Sequence, residues 1–317
     1  VKYLKKNIWI FIIIIVCLLE GCQIKNVKLP EQVNKVKKSA SSEDNVNLNI
    51  LTTDKVIYYM VKDIVGNKHN VDYMFKNRED EIIFKFTDDS LHNISKQDLF
   101  LYAGAGFEPW MDDFLKELNK NTVGVINISR GVTFIPYSKE INIGDVTLKN
   151  NPYYWTNIEN YKIAFSNIKN AVEDKDPRNR EYYESNFTKV LKTSESYSKD
   201  IKIISEKLKD YTFITDEDDM DYFFKHAGIK VIKLNTDSDG IPMFTGNSTD
   251  KEKILKELKK KDKKVFFYNS SSILNKDLKF INQYNLETVN LKVYDEKLKP
   301  SDIIKYNLDE LNKINNR

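Results

Sequence analysis

The sequence predicts an α/β protein of two doubly wound lobes, each with a mostly parallel sheet, joined by one long rigid helix. Three observations predict it. Short apolar runs and amphipathic stretches alternate from residue 48 to about 172; a stretch over 178–208 then carries no Gly or Pro; and the alternation resumes to residue 314. Alternation of this kind makes parallel sheets with helical crossovers.

In chain order, 49–51 reads as a strand, and 55–65 as a helix with Ile57, Met60, Val61 and Ile64 on one face and Gly66 at its end. A strand at 70–74 and a helix at 88–96 follow. The segment Asp98-Leu-Phe-Leu-Tyr-Ala-Gly-Ala-Gly-Phe-Glu-Pro-Trp combines a buried strand, a glycine turn at Gly104 and Gly106, and a helix opening at Pro109. A strand at 123–128 and a helix at 158–172 complete the first half. Over 178–208, Tyr183, Phe187, Val190, Leu191, Tyr197, Ile201, Ile204 and Leu208 recur at helical spacing. A helix of that length spans about 45 Å, enough to join two lobes. Strands are then expected at 211–215, 230–234, 265–268 and 288–291, and helices at 220–227, 251–261, 274–283 and 301–314. The turn-rich residues 240–248 read as a surface excursion.

The chain has 317 residues, 41% of them hydrophobic, and 50 basic against 47 acidic residues. It can bury a large core. The charges are interleaved, so no basic stripe points to nucleic acid. Lys2, Lys5 and Lys6 precede an apolar run over 8–19 and then Leu19-Glu20-Gly21-Cys22. A charged start, a short apolar core and a small residue before Cys describe a signal peptide. The spacing resembles the bacterial lipoprotein cleavage box, with a departure at Glu20. Residues 1–21 are then the leader, Cys22 the lipidated first residue, and the chain sits on the outer face of the cytoplasmic membrane. An uncleaved anchor is the alternative, but the run is shorter than the ~20 residues a span needs. Cys17 falls in the leader, leaving Cys22 as the single cysteine and no disulfide. Residues 22–47 are Lys- and Ser-rich without periodicity, a flexible tether. The remaining division is an N-terminal lobe over 48–177, a linking helix over 178–209 and a C-terminal lobe over 210–317.

The segment 98–115 resembles the signature of substrate-binding lipoproteins of zinc- and manganese-type ABC importers: an aspartate and apolar strand, Gly-x-Gly-x-Glu, and a helix opening with Trp. The similarity extends over 48–311. Residues 49–71 resemble that family's opening strand and helix, Asn151-Pro-Tyr-Tyr-Trp155 its Asp-Pro-His-x-Trp loop, and Asp176-Pro-Arg-Asn with Tyr183 and Asn186 the start of its long helix; Tyr306-Asn307-Leu308 matches the closing helix. The resemblance implies a periplasmic-binding-protein-like fold of the metal-binding type, holding Zn²⁺ or Mn²⁺ between the lobes for a membrane ABC permease, as a monomer. The ligand positions are substituted. The three family histidines fall on Ile82, Tyr153 and Glu217, and the aspartate on Leu291 or Lys292. Isoleucine and leucine coordinate nothing, and a phenol with a pKa near ~10 is a poor ligand at neutral pH. The implied metal site is therefore altered or lost.

Only His69, His92 and His226 are present. His69 reads as solvent-facing in a turn, His92 as facing away from the cleft, and His226 as a partly cationic group at a helix end. Asp216-Glu217-Asp218-Asp219 either caps the helix that follows or faces the cleft to bind a hard cation or an amine. Tyr153, Tyr154 and Trp155 are expected on the opposing cleft wall. No nucleophile stands with a base, and Gly104-Ala-Gly106 lacks the third glycine of a dinucleotide fingerprint, so no enzyme is indicated. Two functions follow: a solute-binding lipoprotein of a metal importer, or an adhesion or interaction lipoprotein on the same scaffold.

Overall fold

Strand β1 (Asn49–Thr52) leads through Asp54 into helix α1 (Lys55–Val65). The Asp54 carboxylate accepts the Ile57 N–H and satisfies one of the helix's orphan donors, and Gly66 ends the helix at φ 57°. The computed structural model of the chain describes residues 46–120, 122–234, 236, 248–260 and 262–316. The leader, Cys22, nearly all of the tether and nearly all of the 240–248 excursion lie outside the described residues.

The first half continues with β2 (Asn70–Tyr73), α2 (Arg78–Ile82), α3 (Asp88–Ser95), β3 (Leu99–Tyr102), α4 (Met111–Glu117) and β4 (Gly124–Asn127). A hairpin, β5 (Pro136–Ile143) and β6 (Val146–Asn150), then leads through a single 3₁₀ turn at Tyr154–Thr156 into α5 (Ile158–Lys175) and α6 (Arg180–Lys207). The second half holds β7 (Thr212–Thr215), α7 (Asp221–Ala227), β8 (Val231–Lys233), α8 (Ser248–Lys260), β9 (Lys264–Tyr268), α9 (Ser271–Gln283), β10 (Glu287–Asn290) and α10 (Pro300–Asn315).

Both four-stranded sheets are wholly parallel, in the orders β2-β1-β3-β4 and β10-β9-β7-β8. Each therefore reverses its winding once, beside its first strand: between β1 and β3, and between β7 and β9. In open α/β sheets that crevice, outside the carboxyl ends of the strands, is where ligands bind.

Residue alternation places the core. Leu99 and Leu101 point into a central cluster, whereas Phe100 between them packs with Phe75, Trp110 and Phe114 on the outer face. In β9, Val265 and Phe267 join the same central cluster, while Phe266 packs with Phe280 and Ile281 outside. The two sheets thus share one central core, filled by α1, α5, α6, α7 and α10. Each fully buried Tyr, Phe or Leu there contributes about 2 kcal/mol by removal from water. Residues 46–317 form one compact unit.

Helix α6 has 28 residues, about 42 Å at the usual rise. It packs on α1 and α5 of the first half and on α7 and α10 of the second. It starts at Arg180 rather than 178, because Pro177–Asn179 makes one 3₁₀ turn of its own. Three elements, α2 and the two strands of the β5–β6 hairpin, are not legible in the sequence. Helix α2 is a five-residue charged turn, and β5 is almost entirely exposed, so neither shows an apolar period. Helix α4 starts at Met111, with Pro109 in the preceding turn.

Candidate functional site

At the carboxyl end of β1 and β3 the crevice is closed by a side chain of the chain itself. Gly104, Ala105 and Gly106 all adopt positive φ, which turns consecutive N–H groups toward one point. Glu108 sits there, buried, and its carboxylate accepts the N–H of Ala103 at 2.7 Å, the N–H of Gly104 at 3.0 Å and the Thr53 hydroxyl at 2.6 Å. At Gly104 a Cβ would lie 2.4 Å from Asn127 Oδ1 and Ser129 Oγ. The Gly-x-Gly-x-Glu motif is thereby a self-filled anion nest.

The second half repeats the arrangement. Glu217, just past β7, accepts the Asn269 N–H beyond β9 at 2.6 Å. Burial, then the neighbouring Asp219 carboxylate, pushes Glu217 up to about 8. A glutamate closes each switch point.

The two halves meet through the hairpin and the acidic loop. Asp218 accepts the Ser138 N–H (2.7 Å) and hydroxyl (2.6 Å) and pairs with Lys233 at 3.0 Å. Burial opposes ionisation of Asp218, but these donors outweigh it and hold its carboxyl below the usual range. Asp219 accepts from the Tyr137 hydroxyl (2.8 Å) and Asn269 Nδ2 (3.0 Å), and burial raises its pKa. Asp216 accepts from the Thr236 N–H (2.6 Å) and pairs with Lys276. Asn151 donates to the carbonyls of Asp218 and Asp219. The four acids therefore do not cap α7, whose N-cap is Met220 without a side-chain bond. They fasten the hairpin, β8 and α9 to the end of β7, and border a cavity of about 450 Å³ lined also by Tyr137, Ser138 and Ile273.

Ile82 is a buried apolar side chain at the end of α2. Tyr153 is half-buried at the junction, where burial and then Asp219 raise its phenol and the Arg78 guanidinium beside it acts oppositely. Tyr154 and Trp155 are sealed within the junction. Tyr154 donates its hydroxyl to the Ala103 carbonyl (2.9 Å), and Trp155 donates Nε1 to the Val293 carbonyl (2.8 Å), so this turn bonds to both halves. Leu291 lies in the central core, and Lys292 turns to Asp295 and to the Tyr306 ring.

The histidines correct two expectations. His69 is buried rather than solvent-facing. Its Nδ1 accepts the Leu48 N–H, so Nε2 carries the proton and donates to the Tyr183 hydroxyl at 2.7 Å, which donates to Asp176 at 2.6 Å. His226 is neutral rather than partly cationic: burial, then Lys202, pushes it down to about 4, and its Nε2 bonds the Ser198 hydroxyl at 2.7 Å. His92 is exposed on α3. Among the described residues, no three His, Cys, Asp or Glu side chains are gathered as a metal ion requires.

Sequence reasoning missed a further cluster. Arg78, on α2, pairs with the fully buried Glu81 at 3.0 Å and lies 3.6 Å over the Phe107 ring. Its field reaches Asp54, Glu108, Tyr153 and Tyr294. Burial pushes Asp54 up to about 7 and Glu81 well above its usual value, the remaining acids adding to both. Four buried atoms here lack a hydrogen-bond partner: Asp54 Oδ2, Arg78 Nη2, Glu81 Oε1 and Tyr294 OH. The one available signal was the Arg78/Glu81 pair at i,i+3.

Residues 50–313 match the model of the family described as zinc-uptake complex component A, periplasmic. The chain belongs to that family. It is 25% identical over 296 residues to the metal ABC transporter substrate-binding lipoprotein ScbA of Streptococcus cristatus, covering 87% of this chain and 91% of the relative. It is 26% identical over 285 residues to the manganese ABC transporter substrate-binding lipoprotein PsaA of Streptococcus pneumoniae, covering 83% and 88%. Among solved structures, the metal-dependent lipoprotein YcdH of Bacillus subtilis superposes with a TM-score of 0.66 at 22% identity, over 84% of this chain and 99% of that one. A manganese-bound periplasmic metal-binding protein from Candidatus Liberibacter asiaticus gives 0.62 at 18% identity, over 84% and 100%. These likenesses fix the fold: two parallel sheets and a long connecting helix.

Proposed function

We propose that the protein is the extracytoplasmic solute-binding lipoprotein of a zinc/manganese-type ABC importer, with a ligand set that has departed from that of metal carriers. The observation that carries this reading is the family match across 50–313, which spans both sheets and the helix between them. In this reading residues 1–21 are removed, lipid on Cys22 holds the chain to the outer face of the cytoplasmic membrane, 22–47 are the tether, and the monomer works with an ABC permease. No catalytic activity is assigned to it. The positions Ile82, Tyr153, Glu217 and Leu291 supply one carboxylate and one phenol, too few donors for Zn²⁺ or Mn²⁺.

The engagement of Asp216, Glu217, Asp218 and Asp219 within the protein favours a second reading, an adhesion or interaction lipoprotein that kept the scaffold. Cross-linking of the anchored chain in intact cells separates the two. Recovery of an ABC permease supports the importer reading. Recovery of a surface partner without permease favours the second.

A further inference from the structure

The interlobe cluster supplies its own cation. Asp54, Glu81 and Glu108 place three carboxyl groups in the buried junction, each 4% exposed or less. Three carboxyls in such a place need a positive charge or protons. In this chain a guanidinium enters instead of a metal ion: Arg78 extends from α2, the helix that also carries the ligand-equivalent Ile82, into the space between Glu81, Phe107 and Tyr153. Its side chain is only 12% exposed, and Nη2 is buried without a partner. Guanidinium is permanently charged, planar and weakly hydrated, which suits a buried place between a carboxylate and an aromatic face.

We propose that Arg78 is the specificity-determining residue of this site: its guanidinium takes the place of divalent metal cargo, so that the junction closes without Zn²⁺ or Mn²⁺. The inference rests on the importer-family reading and states how its ligand set has changed. A divalent ion brought to Glu81 and Tyr153 meets the Arg78 charge at close range in a low-dielectric setting, and neither Ile82 nor Leu291 offers a donor. The orphaned Asp54 Oδ2, Glu81 Oε1 and Tyr294 OH are oxygens left for a small polar molecule or for a hard cation once the arginine is gone.

The test uses the metal-stripped full chain, as wild type, Arg78→Met and Arg78→Lys, with Zn²⁺, Mn²⁺ and Ca²⁺ as probes. Equilibrium dialysis gives stoichiometry and thermal melts give stability. Wild type and R78K are expected to take up no stoichiometric Zn²⁺ or Mn²⁺ and to shift by less than about 1 °C. R78M is expected to melt lower and to recover with Mn²⁺ or Ca²⁺; an ion at a thousandfold excess over its dissociation constant raises a midpoint by roughly 10 °C. One equivalent of Zn²⁺ or Mn²⁺ bound by wild type and lost in Tyr153→Phe overturns the inference while leaving the importer reading intact. An R78M chain as stable and as metal-indifferent as wild type overturns it equally. Should R78M not fold with or without metal, Arg78→Gln, a neutral side chain that keeps a hydrogen-bond donor toward Glu81, is read in its place by the same two outcomes. Cross-linking to a permease is unaffected by any of these outcomes and fails only if the importer reading does.

Discussion

Single residues show how burial, more than residue type, sets chemistry in this chain. His226 and His69 carry the same side chain as an imidazole ligand, yet both are consumed by internal hydrogen bonds to Ser198 and Tyr183. His226 has a folded-state pKa of about 4 against a usual 6.5. Between those values the unfolded chain binds a proton that the folded chain refuses, so stability present above pH 6.5 is lost as the pH falls toward 4. The loss amounts to about 3 kcal/mol. Urea titrations of wild type and His226→Gln from pH 7 to pH 4.5 should show a steeper decline for wild type; parallel profiles would contradict the assignment. Arg78 illustrates the converse, a residue unremarkable in the sequence that becomes the charge centre of the junction once Glu81, Asp54 and Tyr153 surround it.

At the level of elements, the long helix is anchored at its start by a hydrogen-bonded relay. Tyr183 on α6 donates to Asp176, which precedes the helix, and accepts from His69, which precedes β2. Burial alone would raise Asp176, but bonds from Tyr183 and Asn179 outweigh it and lower its pKa. Tyr183→Phe removes the hydroxyl that bridges His69 Nε2 and Asp176, leaving that pair 3.5 Å apart and Asp176 short of one donor, a cost of about 1 kcal/mol. Chemical denaturation should show that loss with an unchanged m-value; a neutral substitution would mean the relay is not anchoring α6. The Gly-x-Gly-x-Glu turn is a second device of this scale. It was readable as strand, turn and helix from residue types, while the use of Glu108 to close the crevice depends on the positive φ at Gly104, Ala105 and Gly106.

The whole molecule has two sheets of like winding and one shared core, so relative movement of the halves must disturb Leu101, Phe267, Trp155 and the buried face of α6 together. A continuous helix of 28 residues offers no flexible crossing for a wide hinge. X-ray scattering of a form lacking residues 1–45 should give a radius of gyration near ~19 Å, changing by no more than about 1 Å with any ligand. A larger compaction would show that the helix bends. Among the described residues no helix is long and apolar enough to cross a membrane.

The alternation of apolar runs, the Gly-x-Gly-x-Glu segment and the uninterrupted 178–208 stretch determined by themselves the fold class, the family and the order of the elements other than α2 and the β5–β6 hairpin, because local propensity and burial period are written residue by residue. In the proposed reading Ile82 and Leu291 offer no donor at ligand-equivalent positions, and the absence of a donor atom in a side chain is legible without coordinates. Only the tertiary structure gathers the charged cluster beside Ile82. Arg78 and Glu81 share α2, but Asp54, Tyr153 and Tyr294 come from three other segments, and their charges matter only at the short distances and low dielectric that packing creates. Likewise the acidic run 216–219 has equal claim in sequence to a helix cap or a cleft wall. Its fate was set by Ser138 and Tyr137, some 80 residues away, which the hairpin brings to it.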